Sequence, residues 1–286
     1  MARDLKDKVI LITGASAGIG AATAVACAQA GMHVTLAARR QDRLRDVAER
    51  IEALGQRALP VACDVARDED MQRLFESSWQ AFGRLDALFA NAGYGLCAAV
   101  MDTPDDQHRA IFETNYFGTV RCLRHALPQL RATPDGLRHL LICSSSLSEI
   151  GLPMYGAYSA TKAAQDALAS ALRGELAHEG VAVTSVHPAG TRTEFFEVAG
   201  GPLGVSNTPP MMMQSPQRVA ACIVRALRRP RAEVWPLPIV RLLMALSTAA
   251  PSLAAWAMRY YAARYRKEMA VPGPRKGQTA GKGIEE

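Results

Sequence analysis

Long apolar runs are missing from this chain. The run behind the charged N-terminus, Val9 to Ile12, is only four residues long, too short for a signal-peptide core. The apolar segment 237–266 is interrupted by Arg241 and Pro251. It therefore lacks the ~20 uninterrupted residues that a spanning helix needs. Cysteine is sparse and scattered: Cys27, Cys63, Cys97, Cys122, Cys143 and Cys222 form no C-x-x-C pair and stand near no histidine pattern. That argues against a disulfide framework and a zinc site and fits reduced thiols in a cytoplasmic protein, with no metal expected. There is no internal repeat and no evident linker, so most of the 286 residues read as one domain. Any motif for nucleic acid is lacking too. Much of the net charge of +6 sits in the C-terminal tail, so it says little about the main domain.

What is present is alternation. Short apolar runs at Val9–Ile12, Val34–Ala38, Ala58–Cys63, Leu85–Ala90, Leu137–Cys143 and Val181–Val186 read as buried strands. Helical stretches separate them: an Ala-rich segment to Gln29, then Asp42–Ala53, Asp68–Phe82, Pro104–Leu130 and the sequence around Tyr158 and Lys162. Six such alternations predict an α/β fold, a Rossmann-like doubly wound parallel sheet of about seven strands. Glu233–Trp235 supplies the last short strand. The domain is expected over 1–236, a helical extension over 237–270 and a disordered tail over 271–286.

The chemistry-bearing residues fall at strand ends, where such sheets bind ligands. After the first strand comes Thr13-Gly14-Ala15-Ser16-Ala17-Gly18-Ile19-Gly20. Glycines at a strand-to-helix turn let main-chain N–H groups approach a pyrophosphate, aided by the helix N-terminus. No Gly-Lys-Ser/Thr follows, so this is not a Walker loop. The second strand ends in Arg39-Arg40 where an NAD site would place a carboxylate. Guanidinium groups there suit the 2′-phosphate of NADP. Asp64-Val65 ends the third strand; the acid could meet an adenine amino group or cap the next helix. Asn91-Ala92-Gly93 ends the fourth, where small residues permit close backbone approach. Asn115 is an amide in mid-helix, unfavourable by propensity and in need of a partner.

The central stretch runs from Ser144 to Lys162. Tyr158 and Lys162, four apart, share a helix face. A free tyrosine, pKa about 10, is a poor acid-base group near neutrality, and a neighbouring ammonium favours the phenolate. Ser145 could bond the same reacting oxygen, with Ser144 as the alternative. His187-Pro188-Ala189-Gly190-Thr191-Arg192-Thr193 follows the sixth strand.

Taken together, these motifs resemble the short-chain dehydrogenase/reductase family over about residues 7–230. The resemblance implies a carbonyl–alcohol oxidoreductase using NADP(H) in preference to NAD(H), acting on a fairly apolar small molecule. It implies that Asn115, Ser145, Tyr158 and Lys162 are catalytic. Tyr158 exchanges the proton, Lys162 lowers its pKa and holds the nicotinamide ribose, Ser145 polarises the carbonyl and Asn115 anchors a relay water. Thr13, Gly14, Ser16, Gly18, Ile19, Gly20, Arg39, Arg40, Asp64, Val65, Asn91, Ala92, Gly93, Pro188, Gly190 and Thr193, with Tyr158 and Lys162, are the implied cofactor contacts. A homodimer or homotetramer is implied by analogy. Pro188-Ala189 departs from the family's usual Pro-Gly, which puts the shape of that loop in doubt. A non-catalytic NADP(H) sensor and an epimerase or dehydratase on the same scaffold are the competing readings.

A substrate lid is expected at about 191–216, where Met211-Met212-Met213 suits either an adaptable pocket or ordinary packing. In the extension, Trp256, Tyr260 and Tyr261 stand beside Arg259, Arg264, Arg266 and Lys267. Peripheral membrane contact through 239–267 is one reading; packing over the cleft or against another subunit is the other.

Overall fold

The computed structural model describes residues 2–200 and 212–270, with side chains described as far as residue 263. Gly201, Pro209, Pro210, Met211 and the expected tail lie outside the described residues. In chain order the strands are β1 (Val9–Thr13), β2 (His33–Ala38), β3 (Ala58–Ala62), β4 (Ala87–Ala90), β5 (His139–Cys143), β6 (Ala182–Val186), β7 (Gly190–Thr191), β8 (Met213–Gln214) and β9 (Glu233–Val234). The helices are α1 (Gly18–Gln29), α2 (Gln41–Glu52), α3 (Asp68–Phe82), α4 (Asp105–Phe112), α5 (Gly118–Ala132), α6 (Gly156–Glu175), α7 (Phe195–Ala199), α8 (Pro216–Arg228), α9 (Pro238–Ala249) and α10 (Pro251–Ala270).

Seven strands form one sheet in the order β3-β2-β1-β4-β5-β6-β9, every pair parallel. All residues of β1, β4 and β5 are buried. Helices cover both faces, so those strands need apolar side chains on both sides, which is why they read as unbroken runs. One face packs on α1, α2 and α8, through Ala24, Ala28, Leu44, Ile51, Val219 and Ile223. The other packs on α3, α5 and α6, through Met71, Leu74, Cys122, Leu130 and Ala169. Strand order reverses between β1 and β4, which opens a crevice at their C-terminal ends.

Two features depart from the simple alternation. The predicted helix 104–130 is interrupted by a π-turn over Glu113–Phe117, between α4 and α5. Gly190–Thr191 pairs in parallel with Met213–Gln214, a two-stranded ribbon that no apolar run announced. As the sequence indicated, Pro251 interrupts the apolar segment: α9 ends just before it and α10 begins on it, a position that tolerates its missing N–H.

His139 opens β5 fully buried, and burial, with Arg3 nearby, holds its pKa down to about 3. The Thr184 hydroxyl donates to Arg231 O at 2.6 Å. The 2.8 Å contact between His139 Nε2 and Thr184 Oγ1 therefore has the imidazole N–H as donor, which fixes the neutral tautomer. The thiols of Cys27, Cys63 and Cys122 are buried and pushed up to about 12, so they are inert packing groups.

Candidate active site

At the crevice, the turn after β1 is locked to the end of β4. Thr13 Oγ1 accepts from the N–H groups of Asn91 and Ala92, each at 3.1 Å. The Asn91 amide donates back to Thr13 O and Gly14 O, at 3.0 and 3.2 Å. Gly14 has φ +66°, and a Cβ there would stand 2.8 Å from Asn91 Nδ2 and 2.9 Å from Ala92 Cα. Gly18, at φ +56°, faces Thr193, whose Cγ2 lies 3.0 Å from where a Cβ would be. The turn therefore has no room for side chains at these two positions, and the N-terminus of α1 opens from it. Such a cradle fits the pyrophosphate of a dinucleotide.

Arg39 and Arg40 both stand exposed at the end of β2, and their surroundings differ. Arg40 donates to Glu194 Oε2 at 2.8 Å and to Ser16 Oγ at 3.3 Å. It thereby ties the glycine-rich turn to the start of the lid. Among the described residues Arg39 makes no ion pair. Asp64 caps no helix: α3 starts after Arg67, and Asp64 Oδ1 accepts from the Ala66 N–H at 3.0 Å. That corrects the capping alternative, because Asp64 lies too far upstream of the first helical turn. Val65 is buried against Gly118, and Pro188 O accepts from the Ser146 N–H at 2.9 Å.

The other wall is built from buried polar side chains on α6 and the turn after β5. Tyr158, Lys162 and Ser145 are all nearly inaccessible. Ser145 lies close enough to the Tyr158 phenol to favour its charged form, while Ser144 Oγ donates to Lys162 O at 3.2 Å. Of the two serines, Ser145 is the one at the tyrosine. Lys162 Nζ donates to Cys143 O at 2.8 Å and to Gln165 Oε1 at 2.9 Å, and lies 5.5 Å from the Tyr158 ring centre.

From the sequence, the ammonium is expected to lower the phenol's pKa. In the protein alone the balance runs the other way: burial raises the Tyr158 pKa, and nearby Ser145 offsets this only in part. Burial also lowers the pKa of Lys162. Both shifts favour the neutral forms, because the surroundings solvate charge poorly.

Asn115 is where the π-turn falls, and it is completely buried. Its Oδ1 accepts from the Tyr94 N–H at 3.0 Å, and its Nδ2 donates to Tyr94 O and Thr161 Oγ1, both at 3.0 Å. The widened turn leaves its main-chain carbonyl to other donors, and Thr119 Oγ1 and Gln165 Nε2 each donate to it at 2.7 Å. Gln165 thus joins the Lys162 ammonium to the Asn115 carbonyl. Sequence reasoning missed it, although Tyr158, Lys162 and Gln165 are spaced i, i+4, i+7 on one face of an otherwise Ala-rich helix.

Behind Ser145 lies a second polar group that no motif announced. His187 Nδ1 lies 3.2 Å from Ser145 O, and its Nε2 lies 3.0 Å from Ser185 Oγ and 3.3 Å from Asp166 Oδ1. Its ring stacks on Trp235 at 4.3 Å. Asp166 is pushed up by burial, but His187, Ser185 and Arg173 outweigh this and hold it below the ordinary carboxylate value. Among the described residues, Glu149, Asp166 and His187 bring their donor atoms within 4.8 Å of one another, a spacing that could accommodate a metal ion. No metal was expected from the sequence. Both imidazole nitrogens are already engaged by protein groups, which suits positioning the Ser145 turn better than ligation.

The described part of the lid covers the phenol. Phe195 on α7 meets the Tyr158 ring edge-on at 5.2 Å, and Cys97 N donates to Ala199 O at 3.0 Å. Ile111, Tyr155, Leu96, Leu147, Leu152 and Met154 complete an apolar surround. Met154 holds φ +70°, a strained conformation for a residue other than glycine. Met212 packs with Val240, Ile150 and Trp235 rather than around Tyr158, so ordinary packing is the outcome for that methionine.

A family model described as short chain dehydrogenase matches residues 8–200. The chain belongs to the short-chain dehydrogenase/reductase family. It is 32% identical over 231 residues to the uncharacterized oxidoreductase Lin0452 of Listeria innocua, covering 79% of this chain and 92% of that one. It is 30% identical over 275 residues to the dehydrogenase/reductase SDR family member 7B of Bos taurus, covering 92% and 83%. Among solved structures it resembles L-sorbose reductase from Gluconobacter frateurii, complexed with NADPH and L-sorbose. That match has a TM-score of 0.73 and 28% identity and covers 82% of this chain and 96% of the other. As a short-chain dehydrogenase/reductase, the protein is an oxidoreductase of the carbonyl–alcohol class that uses a nicotinamide cofactor.

Proposed function

We propose that this short-chain dehydrogenase/reductase is an NADP(H)-preferring enzyme that interconverts a carbonyl and an alcohol on a fairly apolar small molecule. The observation that carries the reading is the buried set Ser145, Tyr158 and Lys162, gathered beneath an apolar lid at the open end of the glycine-rich crevice. When bound, the nicotinamide supplies or accepts the hydride.

The chain's own residues manage the proton and the geometry. Tyr158 gives its hydroxyl proton to the carbonyl oxygen in reduction and takes it back in oxidation. The Ser145 hydroxyl, beside the phenol, donates to the same oxygen as charge develops on it. Lys162, held by Cys143 O and Gln165, has the position to reprotonate Tyr158 and to hold a ribose hydroxyl. Gln165 keeps that ammonium aligned with the Asn115 carbonyl. Thr13, Gly14, Ser16, Gly18, Ile19 and Gly20 hold the pyrophosphate side, and Pro188, Gly190 and Thr193 border the nicotinamide side. We place the enzyme in the cytoplasm as a homodimer or homotetramer.

The preference for NADP(H) rests on Arg39. A carboxylate is missing at the end of β2, and Arg40 is already engaged by Glu194. Arg39 is therefore the principal ligand for a 2′-phosphate, with Arg40 as the latch of the lid. NADPH consumption over a panel of ketones, aldehydes, steroids, retinoids and 3-oxoacyl thioesters tests the whole reading. Turnover of an apolar class, with Arg39→Ala weakening NADPH about tenfold or more and sparing NADH, is the expected result. Arg40→Ala should affect both cofactors alike. NADPH bound tightly with no turnover on any class would favour a sensor, and equal losses for Arg39→Ala would remove the NADP preference.

A further inference from the structure

Helix α9 is apolar on two opposite sides. Val240 and Met244, with Leu237 just before the helix, pack inward on Ile150, Ala189, Met212 and Trp235. Ile239, Leu242, Leu243 and Leu246, spaced i, i+3, i+4, i+7, form a second stripe turned to solvent, with Leu242 at 54% and Leu246 at 55% exposure. Helix α10 repeats the pattern: Leu253, Trp256 and Tyr260, spaced i, i+3, i+7, are 65, 60 and 69% exposed. Seven of the twelve large apolar side chains left exposed among the described residues belong to these two helices. Single exposed apolar residues are ordinary; a concentration of this kind marks an interaction surface.

Charge identifies the partner. From Pro238 to Ala270 the sequence carries Arg259, Arg264, Arg266 and Lys267 against the single acid Glu268, besides Arg241, which pairs with Glu233 at 3.5 Å. A two-fold contact with another copy would set this positive excess against itself. An anionic lipid surface is complementary to it, and tryptophan and tyrosine beside basic residues suit the headgroup region. The helices cannot leave the domain together, since the inner stripe of α9 holds it on the turns that carry Ser145 and Pro188. No single described helix is long and apolar enough to cross a bilayer, and α9 and α10 meet at a bend of 112°.

We propose that α9 and α10 dock the protein along an anionic phospholipid surface, with the outer stripes Ile239–Leu246 and Leu253–Tyr260 entering the headgroup boundary. This goes beyond the oxidoreductase reading and does not depend on it, because vesicle binding is measured without turnover.

The test uses the full chain with phosphatidylcholine vesicles, made with and without phosphatidylglycerol. Co-sedimentation with the phosphatidylglycerol vesicles is expected, weakening as salt is raised, together with a blue shift of tryptophan fluorescence that Trp256→Ala removes. The double variant Leu246→Asp, Trp256→Asp should reduce binding at least about tenfold. Its melting curve should stay unchanged, since both side chains are exposed. Arg259→Glu should weaken binding while leaving the apolar stripes intact. Failure to sediment with phosphatidylglycerol vesicles would overturn the proposal. So would equal binding to neutral vesicles, which would remove the anionic assignment. A dimer that the double variant dissociates, with no lipid binding by wild type, would assign the face to a second copy instead.

Discussion

The two walls of the crevice are made by opposite means. The wall at the ends of β1 and β4 is main chain and glycine, tied by the Thr13 hydroxyl and the Asn91 amide, with space as its working property. The wall on α6 and after β5 is a set of buried polar side chains whose working property is mutual hydrogen bonding. The first should be intolerant of added atoms and the second of removed partners. That difference separates binding defects from chemical ones.

The largest contrast is expected at Tyr158. Tyr158→Phe removes only the hydroxyl, so turnover should fall by about two to four orders of magnitude. NADPH affinity, measured by fluorescence titration, should hardly change. Comparable losses in both would mean that the second wall also governs binding. On the first wall, Gly14→Ala puts a Cβ against Asn91 and Ala92 at a positive φ. Cofactor affinity should collapse, and stability should fall by about 1–3 kcal/mol. Gly55 shares the positive φ, at +79°, but has nothing within 4 Å. Gly55→Ala should therefore cost only about 1 kcal/mol and leave the cofactor untouched. Equal effects at both glycines would show that strain, not close approach, shapes the turn.

Gln165 sharpens the comparison further. Gln165→Leu leaves Lys162 Nζ and Asn115 O each short of a partner. A drop in kcat of about tenfold is expected, with KM for the cofactor little changed. The pH profile of kcat should also shift. A uniform loss of stability and activity with an unmoved profile would make Gln165 a packing residue only.

The smallest effect lies outside both walls. His139 has a folded pKa of about 3 against an ordinary 6.5, so the unfolded chain binds its proton first. Stability from this group is complete above about pH 6.5 and is lost as pH falls from there toward about 3. The melting temperature should drop through that window, and His139→Gln should flatten the drop. An unchanged slope would place the acid sensitivity elsewhere.

Much of this was legible in the sequence because it is local. Val9–Ile12 and Leu140–Cys143 announce strands by being short and wholly apolar, since a sheet covered on both faces admits nothing else. Gly14, Gly18 and Gly20 announce a turn with no room for side chains. Tyr158 and Lys162 announce a shared helix face. The expected seven-stranded parallel sheet flanked by helices is the observed fold, and the family was already named by the order of these motifs.

Other features were not legible, because they depend on distance in the chain. The Arg40–Glu194 pair spans 154 positions, and nothing in either neighbourhood predicts it. The π-turn that aims Asn115 inward comes from packing, with Tyr94 and Thr161 supplying the partners. Tertiary burial also reversed the expected direction of the Tyr158 pKa, because the effect of a lysine four residues away depends on where its ammonium is held. The sequence by itself determined the sheet, the glycine cradle and the identities of the reactive groups, since each follows from local sterics and periodicity. Only the tertiary structure decided how those groups are solvated, which arginine is held by Glu194 and which apolar stripes stay exposed. Solvation and pairing are properties of an environment, and folding is what builds it.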